Sequence, residues 1–151
     1  MQHVVEAIAL PFLNPEMKLP KLATEGSAGL DIQANIAEPL LLKAGDTVLV
    51  PSGFKIHIGN PAFAGLLFPR SGLGHKHGIV LGNLTGIIDA DYQGELKVSM
   101  WNRGSSDYIV QPGERIAQLL LMPVVQPVLQ LVSAFSASAR GEGGFGSSGR
   151  V

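Results

Sequence analysis

The amino-acid sequence predicts an all-β domain of the sandwich or barrel type. Turn sequences rich in Gly, Pro and Asn recur about every 8–12 residues and separate runs of β-branched and aromatic residues. No window of about 12 residues shows the clean 3.6-residue periodicity of an amphipathic helix. A mixed α+β domain is the alternative fold class.

The candidate strands are short apolar runs that lie between these turns. The clearest is residues 54–58, in which Phe54, Ile56 and Ile58 alternate with a lysine and a histidine, as in a strand with one buried face. The other candidate strands, in chain order, are Leu40–Leu42, residues 47–50, residues 66–68, Ile79–Leu81, residues 96–101, Tyr108–Val110 and residues 116–125.

The punctuation between the strands is equally regular. Turns are predicted at residues 43–46, 51–53, 59–61 and 111–114, and a hairpin at residues 102–104, because each contains Gly with Pro, Asn or Asp. The best place for a short helix is Ser71–His77, which follows Pro69.

Length and composition limit the kind of protein this is. A chain of 151 residues, 46% hydrophobic and 15% charged, forms one domain with its own core and is not a disordered chain. The 11 basic and 12 acidic residues give a net charge of −1 without any run of like charge. We therefore expect neither nucleic acid nor a membrane as a partner, although a local cluster of cations for one small anion remains compatible.

The two ends of the chain differ from its middle. The apolar start is interrupted by Glu6 and Pro11 and does not read as a signal peptide, and the absence of cysteine fits a reducing, cytoplasmic location. Residues 1–135 are predicted to form the β domain, and residues 136–151, rich in Gly and Ser, a flexible C-terminal segment of it. Arg140 and Phe145 within that segment are suited to close over a ligand with an anion and a flat face. The alternative is a frayed tail.

Arginines beside glycine-rich or turn sequences indicate a polyphosphate site. Guanidinium groups bind phosphate oxygens in a bidentate manner, and glycines let backbone N–H groups approach them. Residues 69–74 (Pro-Arg-Ser-Gly-Leu-Gly) would present Arg70, the Ser71 hydroxyl and the N–H groups of Ser71 and Gly72 to an anion. The alternative is that each arginine is an ordinary surface residue. The arginines in this context are Arg70, Arg115, Arg140 and Arg150.

A second segment, residues 86–94, carries carboxylates and an aromatic ring. Asp89 and Asp91 would serve as a general base beside a structural aspartate, and Tyr92 as a wall for a sugar; a solvated turn is the alternative. No histidine pattern indicates a metal site. A divalent ion would be Mg²⁺, held through waters and substrate phosphates.

Taken together, five segments resemble, in order, the motifs of the trimeric dUTP diphosphatases. The match extends over nearly the whole chain after the first 20 residues, and the one departure noted is Ser148, where the family often has a threonine that also carries a hydroxyl. The segments are residues 28–32, 69–74, 82–94, 113–118 and 140–149.

The resemblance implies a jelly-roll β fold and a threefold homotrimer. Each active site would be shared by three chains, with the first, second and fourth motifs from one chain, the third from a neighbour and the fifth from the third chain. The implied reaction is Mg²⁺-assisted hydrolysis of dUTP to dUMP and diphosphate, which keeps uracil out of DNA and supplies dUMP for thymidylate synthesis.

The resemblance also implies roles for single residues. Asp89 would be the general base, and Asp31 would hold waters of the Mg²⁺ shell. Asn83, with backbone groups up to Ile87 and Ile88, would read uracil, while Tyr92 would lie under the sugar and Phe145 would stack on the base. The other substrate-binding residues would be Arg70, Ser71, Gly72, Lys97, Arg115, Gln118, Arg140, Gly146 and Ser147.

Two alternatives remain beside this interpretation. A deoxycytidine triphosphate deaminase has the same fold and would release ammonia, but residues 89–92 and the tail at 140–149 favour the hydrolase. A non-catalytic trimeric β module for protein interaction would leave Asp89, Arg70 and Phe145 without a purpose.

Overall fold

The structure, a computed structural model, describes residues 3–138 and 141–142. Strands dominate these residues, and the one helix among them has seven residues, too short to cross a membrane. The elements, in chain order, are β1 (Glu6–Ala9), β2 (Leu30–Gln33), β3 (Leu40–Leu42), β4 (Thr47–His57), β5 (Phe63–Pro69), α1 (Ser71–His77), β6 (Ile79–Leu81), β7 (Gly86–Ile88), β8 (Glu95–Asn102), β9 (Tyr108–Val110) and β10 (Arg115–Pro123).

The strands form two four-stranded sheets and one two-stranded sheet. The strand orders are β1-β4-β8-β6, β2-β10-β5-β7 and β3-β9, and every pairing is antiparallel. The predicted all-β class is thereby confirmed, and the α+β alternative is wrong. β3, β6, β9 and α1 have the bounds expected from the sequence.

Alternating residues of the long strands form the hydrophobic core. On β8, Leu96, Val98 and Met100 are buried and belong to one apolar cluster with Ile32 on β2 and Leu67 on β5. The two four-stranded sheets therefore bury their inner faces together, which is the arrangement of a β-sandwich. The outward residues of β8 and its neighbours remain available for a binding surface.

β4 is one strand of 11 residues, where the sequence predicted two strands separated by a turn at 51–53. The chain accommodates Pro51 and Gly53 as an irregularity in the pairing with β8, whose register shifts between Pro51 and Lys55. Gly53 has a φ of 80°, which residues with a side chain rarely adopt, and its N–H donates to Glu95 Oε1 at 3.2 Å. Residues 51–53, which the sequence predicts to form a turn, therefore form a β-bulge within β4.

The hairpin predicted at 102–104 is also wrong, because β8 and β9 lie in different sheets. The fully buried side chain of Asn102, the last residue of β8, fixes the course of the chain after β8 by three hydrogen bonds. Its Nδ2 donates to the carbonyls of Leu42 and Ser106 at 3.0 and 2.8 Å, and its Oδ1 accepts the N–H of Gly104 at 3.0 Å. Two of these bonds stay within the loop and the third joins Asn102 to the end of β3, and β9 pairs with β3 instead of β8.

Tyr108 ties the small sheet to the turn before β10. Its hydroxyl donates to Oε1 of Glu114, whose Oε2 accepts the N–H of Gln111 at 2.8 Å. Burial, followed by the Glu114 carboxylate, raises the pKa of Tyr108 above its ordinary value. The neutral phenol is therefore the form that the folded state favours.

Replacing Tyr108 by Phe is expected to lower the free energy of unfolding by about 1–2 kcal/mol, because a hydrogen bond to a carboxylate is lost. An unfolded tyrosine ionises near about pH 10, so this contribution is complete below that pH and declines as the pH rises further. Urea unfolding of wild type and Tyr108→Phe at about pH 8 and about pH 11 checks it. A stability difference that is equal at the two pH values contradicts the assignment.

Candidate functional site

An aspartate paired with two arginines forms a charged cluster. Asp31 Oδ1 accepts Arg70 Nε at 3.0 Å, and Asp31 Oδ2 accepts Arg115 Nη1 at 3.1 Å. The three residues are brought together by the sheet order β2-β10-β5, since Asp31 is on β2, Arg115 opens β10, and Arg70 follows β5. Asp31 and Arg115 are 84 residues apart in the chain.

This bridge fixes both guanidinium groups while leaving most of their donors available. Each arginine uses one N–H on Asp31, out of five that a guanidinium carries. The Asp31 carboxylate also offsets the repulsion that two adjacent cations would have. One charge of +1 remains over, and Arg115 is 55% exposed, so the pair can receive an anion from solvent.

The residues next to the arginine pair were expected to contact the same anion. Gln118 faces Asp31 across the β10–β2 pairing and donates from Nε2 to the Pro69 carbonyl at 3.4 Å. Ser71 and Gly72 are exposed in the first turn of α1, and nothing lies within 4 Å of a Cβ built on Gly72. The residues predicted to bind phosphate therefore lie close together in the folded structure, although they come from two distant parts of the sequence. They are Arg70, Ser71, Gly72, Arg115 and Gln118.

The carboxylate segment forms a turn that is tied to its surroundings by the backbone. Asp89 is exposed, and its carbonyl accepts the Tyr92 N–H at 3.2 Å. The Ala90 carbonyl accepts the N–H of Gly59 at 2.8 Å, which anchors the turn to the loop after β4. A surface pocket of about 380 Å³ opens beside this turn, and the predicted residues that line it are Ile87, Ile88, Asp89, Tyr92 and Lys97.

The loop predicted to read a base joins the two large sheets. Residues 82–85 connect β6 in one sheet to β7 in the other, and Asn83 is exposed within this loop. The Gly82 N–H donates to the Ser99 carbonyl at 2.8 Å. Leu84 has a φ of 63°, which is unusual for a residue with a side chain, and such strain is typical of segments that present groups to a ligand.

Glu95 is a residue of the pocket that the sequence did not indicate. It lines the same pocket, its Oε1 accepts the Gly53 N–H, and its carbonyl accepts the Tyr92 hydroxyl at 2.8 Å. Lys97 Nζ lies 3.9 Å from Glu95 Oε2. No local pattern could have identified it, because Gly53 is 42 residues away.

Within one chain, the arginine pair and the carboxylate turn are not brought together. β5 and β7 are antiparallel, with Leu67 opposite Gly86 and Gly65 opposite Ile88. Asp89 thus lies toward the start of β5, whereas Arg70 follows its end. From Gly65 to Arg70 is five residues, or roughly 16 Å of strand. The remaining predicted site residues, Arg140, Phe145, Gly146 and Ser147, lie outside the described residues.

The described residues contain no cluster of three or more His, Cys, Asp or Glu side chains that could hold a metal ion. Both Asp31 oxygens already accept a guanidinium hydrogen bond. The donor set therefore fits a divalent cation only through water molecules, and it leaves direct coordination to the oxygens of a bound anion.

Comparison with known proteins assigns this arrangement to a family. A sequence model of the family described as dUTPase matches residues 15–149. The deoxyuridine 5'-triphosphate nucleotidohydrolase of Alcanivorax borkumensis is 61% identical over 138 residues, covering 91% of this chain and 92% of that protein. The protein of the same name from Escherichia coli O45:K1 is 55% identical over 150 residues, covering 99% of both.

The fold agrees with this assignment. The dUTPase of Staphylococcus bacteriophage 80alpha, solved with dUpNHpp, superposes with a TM-score of 0.82 at 29% identity, covering 98% of this chain and 99% of that one. The resemblance inferred from the five motifs is confirmed by relatives that match over almost the full length. This chain belongs to the dUTPase family.

Proposed function

We propose that the protein hydrolyses dUTP to dUMP and diphosphate by attack of water at the α-phosphorus. The observation that carries the proposal is the Asp31 bridge between Arg70 and Arg115, which holds two guanidinium groups in place before an anion arrives. Fixed cations of this kind stabilise the charge that develops during phosphoryl transfer. The names of the relatives support dUTP as the nucleotide.

The phosphate chain would lie on the arginine side of the site. Arg70 and Arg115 would each offer bidentate N–H donors to its oxygens, with the Ser71 hydroxyl, the Gly72 backbone and Gln118 beside them. Arg140, Gly146 and Ser147 of the C-terminal segment would complete the clamp. Because these groups supply local positive charge, a chain with a net charge of −1 can bind a polyanion.

The water would be held on the carboxylate side. The exposed Asp89 carboxylate, at the edge of the 380 Å³ pocket, would accept a proton from a water aimed in line at the α-phosphorus, and it would also contact the 3′-OH of the sugar. Lys97, on β8 and lining the same pocket, would contact the nucleotide from the other side.

The nucleoside would be selected by the loop and the turn of the third motif. Asn83 and backbone groups from Gly82 to Ile88 would pair with the edge of uracil, and cytosine would leave these groups unsatisfied. Tyr92 would exclude the ribose 2′-OH by steric contact. Phe145 would stack on the base, a contact that contributes about 1–3 kcal/mol in base–aromatic pairs.

Mg²⁺ fits this site in an outer-sphere role. Asp31 would hold waters of its shell while it keeps the two guanidinium groups in place, and when bound the ion would neutralise charge on the phosphates. Preventing uracil incorporation into DNA and supplying dUMP for thymidylate synthesis would follow from the proposed reaction. A cytoplasmic location belongs to the same proposal.

The active site would be shared between copies of the chain in a homotrimer. A general base must lie within about 3 Å of the proton that it accepts. Asp89 lies at the opposite end of β5 from Arg70 in the same chain, roughly 16 Å along the strand. The proposal therefore joins Arg70 of one copy with Asp89 of another, and the C-terminal segment of a third copy would close the site.

The direct test measures diphosphate release from each deoxynucleoside triphosphate and from UTP, with and without Mg²⁺. We expect dUTP alone to be turned over rapidly, and more rapidly with Mg²⁺. Release of ammonia from dCTP would support the deaminase instead. No product from any nucleotide would support a non-catalytic module.

Asp89→Asn is expected to lower kcat by about 10³-fold or more while substrate binding is retained, because the amide cannot accept the proton. Asp91→Asn is the matched control, since it removes the same charge two residues further along an exposed turn. Steady-state kinetics and calorimetric titration with dUMP measure the two effects. A near-normal kcat in Asp89→Asn, or an equal loss in Asp91→Asn, contradicts the role of Asp89.

Mixing two inactive proteins tests the shared site. When Asp89→Asn and Arg70→Ala chains are unfolded together and refolded at equal amounts, sites that join two chains regain about a quarter of the wild-type activity. The reason is that half of all chains in the mixture carry Arg70 and the other half carry Asp89, so a site that takes one residue from each of two chains has both intact in about one case in four. Each variant refolded alone is the control. If the mixture stays as inactive as its components, the two residues belong to one chain's site.

A further inference from the structure

We propose that Gly94 is a positioning residue for Tyr92 and, through Tyr92, determines how strongly the site rejects ribonucleotides. The absence of a side chain at Gly94 leaves the space in which the Tyr92 phenol lies. This inference rests on the proposed function, because it concerns the sugar of the same nucleotide.

The Tyr92 ring folds back over the chain that follows it. Its hydroxyl donates to the carbonyl of Glu95, three residues later, at 2.8 Å. A Cβ built on Gly94 would lie 2.6 Å from Tyr92 Cζ and 2.9 Å from Cε2, and it would lie closer still to the hydroxyl oxygen. Real Cβ atoms essentially never approach other heavy atoms to less than 3.0 Å, so either the ring or the backbone would have to move.

The backbone at this point has little freedom to move. The Gly94 carbonyl accepts the N–H of Ile56 at 3.3 Å, and Glu95 pairs with Lys55 at the start of β8. The Glu95 carboxylate is in turn bonded to the Gly53 N–H at 3.2 Å. Three contacts thus hold residues 94–95 against β4, and an added methyl group would displace the phenol rather than the strand.

Dihedral strain does not explain the glycine. The described glycines with positive φ include Gly45, Gly53 and Gly59 but not Gly94, so a positive φ is not the reason for a glycine there. The requirement for glycine is therefore one of space beside the ring. This separates Gly94 from the glycines that are needed for turns.

A fixed ring matters for rejection of the 2′-OH. A soft apolar pocket discriminates against one added hydroxyl by only about 100-fold, because it can yield. Tyr92 is held from both ends, by its N–H on the Asp89 carbonyl and by its hydroxyl on the Glu95 carbonyl. Gly94 permits the second of these bonds, so that the ring cannot retreat from a ribose.

The experiment compares the ratio of kcat/KM for dUTP to kcat/KM for UTP in the wild type and in Gly94→Ala. We expect the ratio to fall about tenfold in the variant, because the displaced ring yields to the 2′-OH. Gly26→Ala is the control, since nothing lies within 4 Å of a Cβ at Gly26. General destabilisation would lower both kcat/KM values and leave their ratio unchanged, which would overturn the proposal.

A double variant isolates the contact. In a Tyr92→Ala background, Gly94→Ala should change the ratio by less than about twofold, because the ring that it displaces is absent. A tenfold effect in that background would show that Gly94 acts on something other than Tyr92.

Two further measurements, on Tyr92→Phe and on the wild type, separate the role of Gly94 from folding failure and from the proposed function. If Gly94→Ala does not fold, as judged by circular dichroism, Tyr92→Phe decides: loss of the hydroxyl bond should lower the ratio about threefold, and an unchanged ratio overturns the proposal. A wild type that releases no diphosphate from dUTP overturns the proposed function itself. A wild type that prefers dUTP, with variants of equal preference, overturns only the role of Gly94.

Discussion

The antiparallel pairing of β5 constrains how this fold can perform chemistry. β5 lies between β10 and β7, and its last residue leads into Arg70, while its partner β7 runs in the opposite direction into Asp89. The register therefore separates the cationic and the carboxylate groups by most of the length of the strand. We call these two groups the arginine half-site and the carboxylate half-site, and the proposed site, which needs both, would form between copies of the chain. Oligomerisation is then a requirement of the proposed reaction, in addition to any contribution that it makes to stability.

The arginine half-site is organised by a carboxylate before any substrate is bound. The guanidinium groups of Arg70, just after β5, and Arg115, at the start of the neighbouring β10, repel each other, and Asp31 offsets that repulsion with one hydrogen bond to each. Its side chain is 25% exposed, so the interaction is less screened than that of a surface ion pair. Because both of its carboxylate oxygens accept these hydrogen bonds, Asp31 fits a metal ion only through water molecules. Asp31 would contribute to anion binding by fixing the geometry of the two arginines. Because their side chains are already ordered in the free protein, that entropy is not lost again when the anion binds.

Local chemistry predicted much of this structure. Gly, Pro and Asn punctuation located β3, β6 and β9, and the segment after Pro69 was correctly expected to be the helix that begins at Ser71. The interactions that the sequence did not reveal are all long-range. The Gly53 bulge depends on Glu95, the chain's departure after β8 depends on the carbonyl of Leu42, and the Asp31 bridge spans 84 residues. Sheet register decides these contacts, and register is a property of paired strands that no single segment contains.

The carboxylate half-site shows how a turn can be exposed and still be fixed. Asp89 and Tyr92 are both accessible to solvent, yet the turn that carries them is bonded through backbone groups to Gly59 and Ile56. Turn side chains on a mobile loop would have to be ordered when the nucleotide binds, at a cost of about 1–2 kcal/mol for each residue fixed. Here the backbone bonds to Ile56 on β4 and to Gly59 just after it already order the turn in the folded chain. In the proposed site, selectivity for the sugar would depend on how firmly the Tyr92 ring is held against its own backbone, and Gly94 leaves the space in which the ring lies.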